Sequence, residues 1–290
     1  MRGFHSDQIK TLLIRPGRIF CADSQIKRSL KVVAGVQLFQ RKKEDLERAR
    51  AVQQLLLPRA TPQLPGLDMA VFYRPAQELG GDFYDFLPYR DGRIAIAVGD
   101  IAGKGPAAAL LASLGIGILR EHAMHHVSNP AELLADLNRH LQIAGEGARF
   151  IAMAFGVYNP SNHQFLLANA GFPQPLLVRN RCVTPVEVTG VPLGLLADSA
   201  YESLCVQLEP GNAVVLCSDG IHEQTNALGE EFGLERLVSR LAETRACDTA
   251  GNIAADIVRA LEEHSGETAA CQECKDDRTI VVLRVADDAR

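Results

Sequence analysis

Apolar residues fall into short dense runs divided by polar turns, with a few longer stretches that repeat at helical spacing. Strand-like runs occupy residues 69–74, 82–87 and 93–100, then 149–158, 164–169, 175–179, 203–208 and 213–218, and finally 279–285. Their apolar content and their Gly, Asn and Asp borders predict strands packed on at least one face. Helical spacing predicts pairs of helices at about 106–125 and 130–143, and at about 234–244 and 249–264. Pro106 suits a first helical position, and Asn129 suits an N-cap before Pro130-Ala131-Glu132. Strands grouped with strands and helices with helices predict an α+β fold, not alternating βαβ units.

Ahead of this domain, residues 30–57 carry a weaker helical pattern. Phe39 and Leu46, like Ala49 and Leu56, are seven residues apart, with Arg, Lys and Glu between them. Pro58 and Pro62 end the stretch, because proline lacks the donor a helix needs. Two readings stand: an amphipathic helix packed on the domain, or a linker helix that pairs with a copy of itself or transmits a signal. Residues 1–29 show no sustained periodicity and read as a poorly defined N-terminal segment. The division expected is thus 1–29, a linker helix over 30–62, and a main domain over 63–288.

Composition narrows the picture. At 290 residues, 47% hydrophobic and 22% charged, the chain can bury a sizeable core. A formal net charge of −5 argues against a phosphate-backbone binder, so no nucleic-acid partner is expected. No apolar run reaches the roughly 18 residues of a transmembrane span. Seven cysteines lie among apolar stretches without a signal peptide, which predicts a reduced, cytoplasmic protein.

The chemistry gathers where strands meet aspartate and glycine. The corners are Gly80-Gly81-Asp82-Phe83-Tyr84-Asp85; Gly99-Asp100-Ile101-Ala102-Gly103-Lys104-Gly105; Ser218-Asp219-Gly220; and Lys275-Asp276-Asp277-Arg278-Thr279. One such corner is an ordinary turn. Four of them on strands of one domain bring carboxylates together, and these raise one another's pKa values unless a cation compensates. Carboxylate and carbonyl oxygens suit Mg²⁺ or Mn²⁺, and the absence of paired His or Cys motifs argues against zinc. Two such ions fit phosphoryl chemistry by a metal-activated water.

These motifs, with Ala49-Arg50-Ala51-Val52-Gln53-Gln54-Leu55-Leu56-Leu57-Pro58, Asn169-Ala170-Gly171, Pro192-Leu193-Gly194 and Ser218-Asp219-Gly220-Ile221-His222-Glu223, resemble the PPM superfamily of metal-dependent (type 2C) protein phosphatases. The resemblance is to the branch of sporulation stage II protein E and sigma-B regulator U, and runs from Arg48 to Val285. It implies a four-layer αββα sandwich, two antiparallel sheets flanked by helix pairs, with a two-ion Mn²⁺ or Mg²⁺ centre. Asp100 would bridge the ions, with the Ile101 carbonyl and Asp82 on one of them, Asp82 directly or through water. Asp219 and Asp276 would hold the other, and Asp277 stands beside them as an adjacent candidate. Asp100 and Asp219 carry the catalytic assignment. The implied reaction is attack of water on phosphoserine or phosphothreonine of a partner protein. The implied partner resembles an anti-sigma factor antagonist; apart from the resemblance, self-pairing through the Phe39/Leu46 stripe of the N-terminal helix would give a homodimer.

Other signals are weaker. Phe172 stands where this branch commonly has histidine. Arg74 and Lys104 are candidates for substrate phosphate, each weighed against a surface or supporting role. Cys217 reads as a core residue. Cys271 and Cys274 read as an incidental surface pair, with a redox handle as the alternative. His122, His125 and His126 read as a solvated helix end with nothing acidic near them. The competing functions are a catalytically silent scaffold, disfavoured because every expected aspartate is present, and a metal-dependent nuclease, disfavoured by the acidic charge.

Overall fold

A computed structural model describes residues 24–124, 129–143, 150–245, 247–266 and 275–286. Helix α1 (Ser24–Leu56) is followed by strands β1 (Leu67–Arg74), β2 (Phe83–Pro88) and β3 (Ile94–Ile101), then helices α2 (Pro106–Ala123) and α3 (Pro130–Ile143). Strands β4 (Ile151–Asn159), β5 (Gln164–Ala170), β6 (Leu176–Arg179), β7 (Cys182–Pro185), β8 (Ser203–Gln207) and β9 (Ala213–Cys217) come next. The one-turn α4 (Asp219–His222), helices α5 (Gly233–Leu241) and α6 (Ala250–Ser265), and strand β10 (Arg278–Val285) complete the order.

The strands form two antiparallel five-stranded sheets, ordered β1-β10-β9-β6-β7 and β2-β3-β4-β5-β8. Three apolar layers explain the stacking. Val214, Leu216, Val281 and Leu283 of the first sheet bury against Ile94, Val98, Phe165 and Leu167 of the second. The far face of the second sheet packs Ala97 and Phe155 against Leu119, Leu133 and Leu137 of α2 and α3. The far face of the first packs Val215 and Val282 against Leu237, Ile253 and Ile257 of α5 and α6. This is the expected αββα sandwich. β3, β4, β9 and β10 are buried on both faces and read as continuous apolar runs.

Local chemistry sets the helix ends. Thr249 caps α6 by accepting from Asn252 N, and Asp68 of β1 accepts from Ala250 N at 2.7 Å. Asn129 Oδ1 accepts from Ala131 N at the start of α3, as the sequence suggests.

The chain divides into two compact units at Glu47 and Arg48. Side chains 35–45 of α1 are exposed, Phe39 at 71%. The last turn of α1 belongs to the larger unit: Gln53 and Leu57 are buried there, and Arg120 Nη2 of α2 donates to the Leu56 carbonyl at 2.6 Å. That guanidinium satisfies a carbonyl the helix end leaves without an intrahelical partner. Among the described residues no helix is long and apolar enough to cross a membrane. Residues 1–23, His125, His126, Cys271 and Cys274 lie outside the described residues; α1 begins at Ser24, ahead of the linker-helix start expected at 30.

Candidate metal centre

The four acidic corners meet at one edge of the sandwich, and each sheet contributes two. Asp82 precedes β2 and Asp100 lies near the end of β3, both of the second sheet; Asp219 follows β9 and Asp276 precedes β10, both of the first. Asp100, Asp219 and Asp276 line an open cleft of about 550 Å³ with Ile101, Lys104 and Phe172. Asp82 lies beneath it at 1% exposure.

Close backbone approach holds these corners together. A Cβ on Gly81 would sit 3.2 Å from the Ile101 carbonyl oxygen and 3.4 Å from Asp100 Oδ1. A Cβ on Gly220 would meet the Asp277 carbonyl oxygen at 2.0 Å, so only glycine lets the Asp219 turn lie flat on the start of β10.

Asp277 differs from its neighbour in role. Its carboxylate accepts from Ala76 N at 2.7 Å, Gly81 N at 2.5 Å and Asp82 N at 3.3 Å. It therefore pins the loop that carries Asp82, while Asp276 faces the cleft. Adjacent residues of an extended segment point to opposite sides, which separates the two.

Electrostatics make the cluster costly. Burial, then Asp100 and Asp277, hold Asp82 well above the usual carboxylate range, although Thr279 Oγ1 donates to its Oδ2 at 2.6 Å. Burial and the Asp219 charge push Asp100 up to about 7. Asp219 is raised by burial, then Asp276 and Glu223, with Lys104 opposing. Asp82 Oδ1 is buried with no hydrogen-bond partner. An ionised carboxylate oxygen left this way is expensive unless a cation meets it.

The oxygen donors and the orphaned Asp82 Oδ1 fit a hard divalent ion. Among the described residues no three His, Cys, Asp or Glu side chains stand close enough to hold an ion by themselves. The carbonyl oxygens of Ile101 and Gly103, which face Gly81, are the additional donors within the corner.

Several supporting residues escape a sequence reading. Gln53 Nε2 donates to the Gly80 carbonyl at 2.7 Å while Gly80 N donates back to Gln53 Oε1 at 3.2 Å, tying α1 to the Asp82 loop. The Tyr73 hydroxyl is buried without a partner against Gly80. Ser218 Oγ accepts from Thr279 N at 2.9 Å and donates to the Asp277 carbonyl.

The secondary signals resolve variously. Phe172 is buried and lines the cleft, its backbone clasped by the Asn169 amide through Phe172 N→Oδ1 at 2.8 Å and Nδ2→Phe172 O at 2.9 Å. Cys217 is buried and its thiol is pushed up to about 12 by burial, as befits a core residue. Lys104 lines the cleft, whereas Arg74 lines a separate one with Arg50 and Glu78. One expectation fails: His122 has acidic neighbours, with Nε2 3.3 Å from Glu121 and Nδ1 4.0 Å from Asp136, and its ring meets that of His140 at 4.5 Å, tilted by 60°. The chain folds α3 back against α2, bringing Asp136 and His140 to it, which spacing within α2 alone does not reveal.

Comparison with known proteins places this architecture. Residues 90–286 match the family model of stage II sporulation protein E (SpoIIE). The phosphoserine phosphatase RsbU of Bacillus subtilis is 32% identical over 260 residues, covering 88% of this chain and 73% of RsbU. Among solved structures, the SiaA-PP2C domain of Pseudomonas aeruginosa shares the fold at TM-score 0.76 and 23% identity, over 85% of this chain and 98% of that one. The RsbU and RsbW domains of Rv1364c from Mycobacterium tuberculosis superpose at TM-score 0.64 and 26% identity, over 79% of this chain and 62% of that one.

Proposed function

Because this chain belongs to the stage II sporulation protein E family of PPM protein-serine/threonine phosphatases, we propose that it hydrolyses phosphoserine or phosphothreonine on a regulatory protein, with two Mn²⁺ or Mg²⁺ ions, at the cleft lined by Asp100, Asp219 and Asp276. The observation that carries the reading is the buried, unpartnered Asp82 Oδ1 beneath three further carboxylates. Thr279 serves only Oδ2, and among the described residues nothing hydrogen-bonds Oδ1, an oxygen that a hard cation would meet.

Asp100, the Ile101 carbonyl and Asp82, the last directly or through water, would hold one ion, and Asp100 with Asp219 and Asp276 the other. When bound, such ions supply charge neutralisation for the phosphate oxygens and activation of water. The chain supplies position and exclusion. Asp277 and Gln53 fix the Gly80-Gly81-Asp82 loop, Thr279 orients Asp82, and the Gly220 contact holds Asp219 beside Asp276. Cys217 is not set up as a nucleophile: it is buried, and a thiol pushed up to about 12 is protonated at neutral pH. In this reading, as the family resemblance implies, water is the attacking group and no phospho-enzyme forms.

The partner class, an anti-sigma factor antagonist-like phosphoprotein in the cytoplasm, draws support from the 32% identity to RsbU. Residues 30–62 act in this reading as a linker to the phosphatase domain over 63–288. Phe39, 71% exposed, and Leu46 lie seven residues apart on α1 and offer a stripe for pairing with a second copy; a monomer by light scattering at high concentration would overturn the dimer. The central test is hydrolysis of p-nitrophenyl phosphate and of a phosphoserine peptide with Mn²⁺, for the parent, Asp100→Asn and Asp219→Asn. Activity in the parent and its loss in both variants is expected; an inactive parent or unaffected variants would sink the reading.

A further inference from the structure

Lys104 stands in the loop that joins β3 to α2, among the carboxylates of the cleft. Its Nζ lies 2.7 Å from Asp276 Oδ2 and also donates to the Lys275 carbonyl. The same ammonium draws down Asp219 against its acidic neighbours. One cation of the protein's own therefore serves both carboxylates that the first sheet brings to the site.

Two features make this pairing reversible. The lysine side chain is 44% exposed and Asp276 30%, so the ion pair is worth little beyond roughly 1 kcal/mol. Gly103 and Gly105, with φ of 107° and 77°, flank it, so the neighbouring positions carry no side chains to hold it in place. A long flexible stem with a compact charge suits movement between partners, and lysine binds phosphate as a point charge.

We propose that Lys104 is an exchangeable counter-cation: it neutralises Asp276 and Asp219 until a divalent cation engages their oxygens, and its displaced ammonium then meets the phosphate monoester in the same cleft. The proposal rests on the divalent-cation reading of the site. It makes Lys104 a competitor of the ion and an ally of the substrate. Substituting it therefore moves two affinities in opposite directions.

The test titrates the full-length protein with Mn²⁺ by calorimetry, then titrates the Mn²⁺-loaded protein with inorganic phosphate. Lys104→Met is expected to bind Mn²⁺ roughly two- to fivefold more tightly, the worth of an exposed ion pair removed from competition. It is expected to bind phosphate severalfold more weakly, while Lys104→Arg keeps both affinities near the parent's. A lysine that merely ties two loops together predicts weaker Mn²⁺ binding in Lys104→Met. Mn²⁺ affinity unchanged or weaker in Lys104→Met overturns the exchange, and unchanged phosphate affinity overturns the second role. Failure of the site reading looks different: the parent would then show no Mn²⁺ binding that Asp219→Asn abolishes, and the proposal would fall with it.

Discussion

Replacing Asp277 by asparagine separates a residue that holds a loop from one proposed to hold an ion. In the native site one carboxylate oxygen accepts from Ala76 N and the other from Gly81 N and Asp82 N. An amide offers one acceptor and one donor. Whichever way it turns, at least one of these amide hydrogens faces another donor; in the worse orientation, two do. Each hydrogen bond to a charged group contributes about 1.5–3 kcal/mol, so the loss spans about 2–5 kcal/mol. Burial holds the Asp277 pKa above its ordinary value. Removing the charge relieves that strain, which favours the lower half of the range. Against a total stability of about 5–15 kcal/mol this is a large effect. Urea unfolding in excess chelator is the assay, with Asp276→Asn alongside. Asp276 loses its exposed Lys104 pair, while an asparagine Oδ1 still accepts from Asp277 N as the aspartate does at 2.9 Å, so its metal-free change should stay within about 1 kcal/mol. Suppose Asp277→Asn unfolds within about 0.5 kcal/mol of the parent without ions, yet loses Mn²⁺ binding. Asp277 would then be a ligand, and its assignment as a loop clamp would be wrong.

Further outcomes follow from the same geometry. With Asp100 at about 7 when folded and an ordinary aspartate carboxyl at 3.8, the folded chain keeps a proton that the unfolded chain has released. Its contribution to metal-free stability is therefore full below about 4 and lost as pH rises through about 7; chemical denaturation across that window should show the decline. Mn²⁺ competes with that proton, so Mn²⁺ affinity should weaken as pH falls below about 7, measurable by calorimetry. Gln53→Ala leaves the buried Gly80 N–H and carbonyl without partners and should cost about 1–3 kcal/mol, with weaker Mn²⁺ binding, read by urea unfolding and titration. Cys217→Ala should leave turnover within a few fold of the parent while lowering stability by about 1 kcal/mol, and a loss of turnover in a folded variant would reinstate a thiol nucleophile.

What the sequence makes legible is what local pattern encodes. β3, β9 and β10 are apolar runs with an Asp-Gly or Asp-Asp corner attached, so strand and candidate ligand appear together. β7 is missed because Cys182–Pro185 is short and largely exposed, leaving no apolar signal to read. Roles that depend on distant partners are also hidden. Asp277 acts on amides some two hundred residues earlier, and Gln53 on a loop 27 residues later. Nothing in either neighbourhood announces that reach. The family motifs locate Asp276 and Asp277 but leave their division of labour open; the hydrogen bonds of the folded chain assign the loop to Asp277.

The pairing of acidic corners by sheet has a mechanical meaning. Asp82 and Asp100 ride on one sheet, Asp219 and Asp276 on the other, so the spacing across the cleft is a ruler for how far one sheet has slid over its partner. Thr279 and Asp277 rivet that ruler at a single edge, through bonds to Asp82 and its loop. A slip of even an ångström between the sheets would misplace half of the oxygens relative to the other half. On the proposed reading, ion affinity would be a gauge of inter-sheet alignment, and a cross-link set far from the cleft, on the opposite edge, would be felt there.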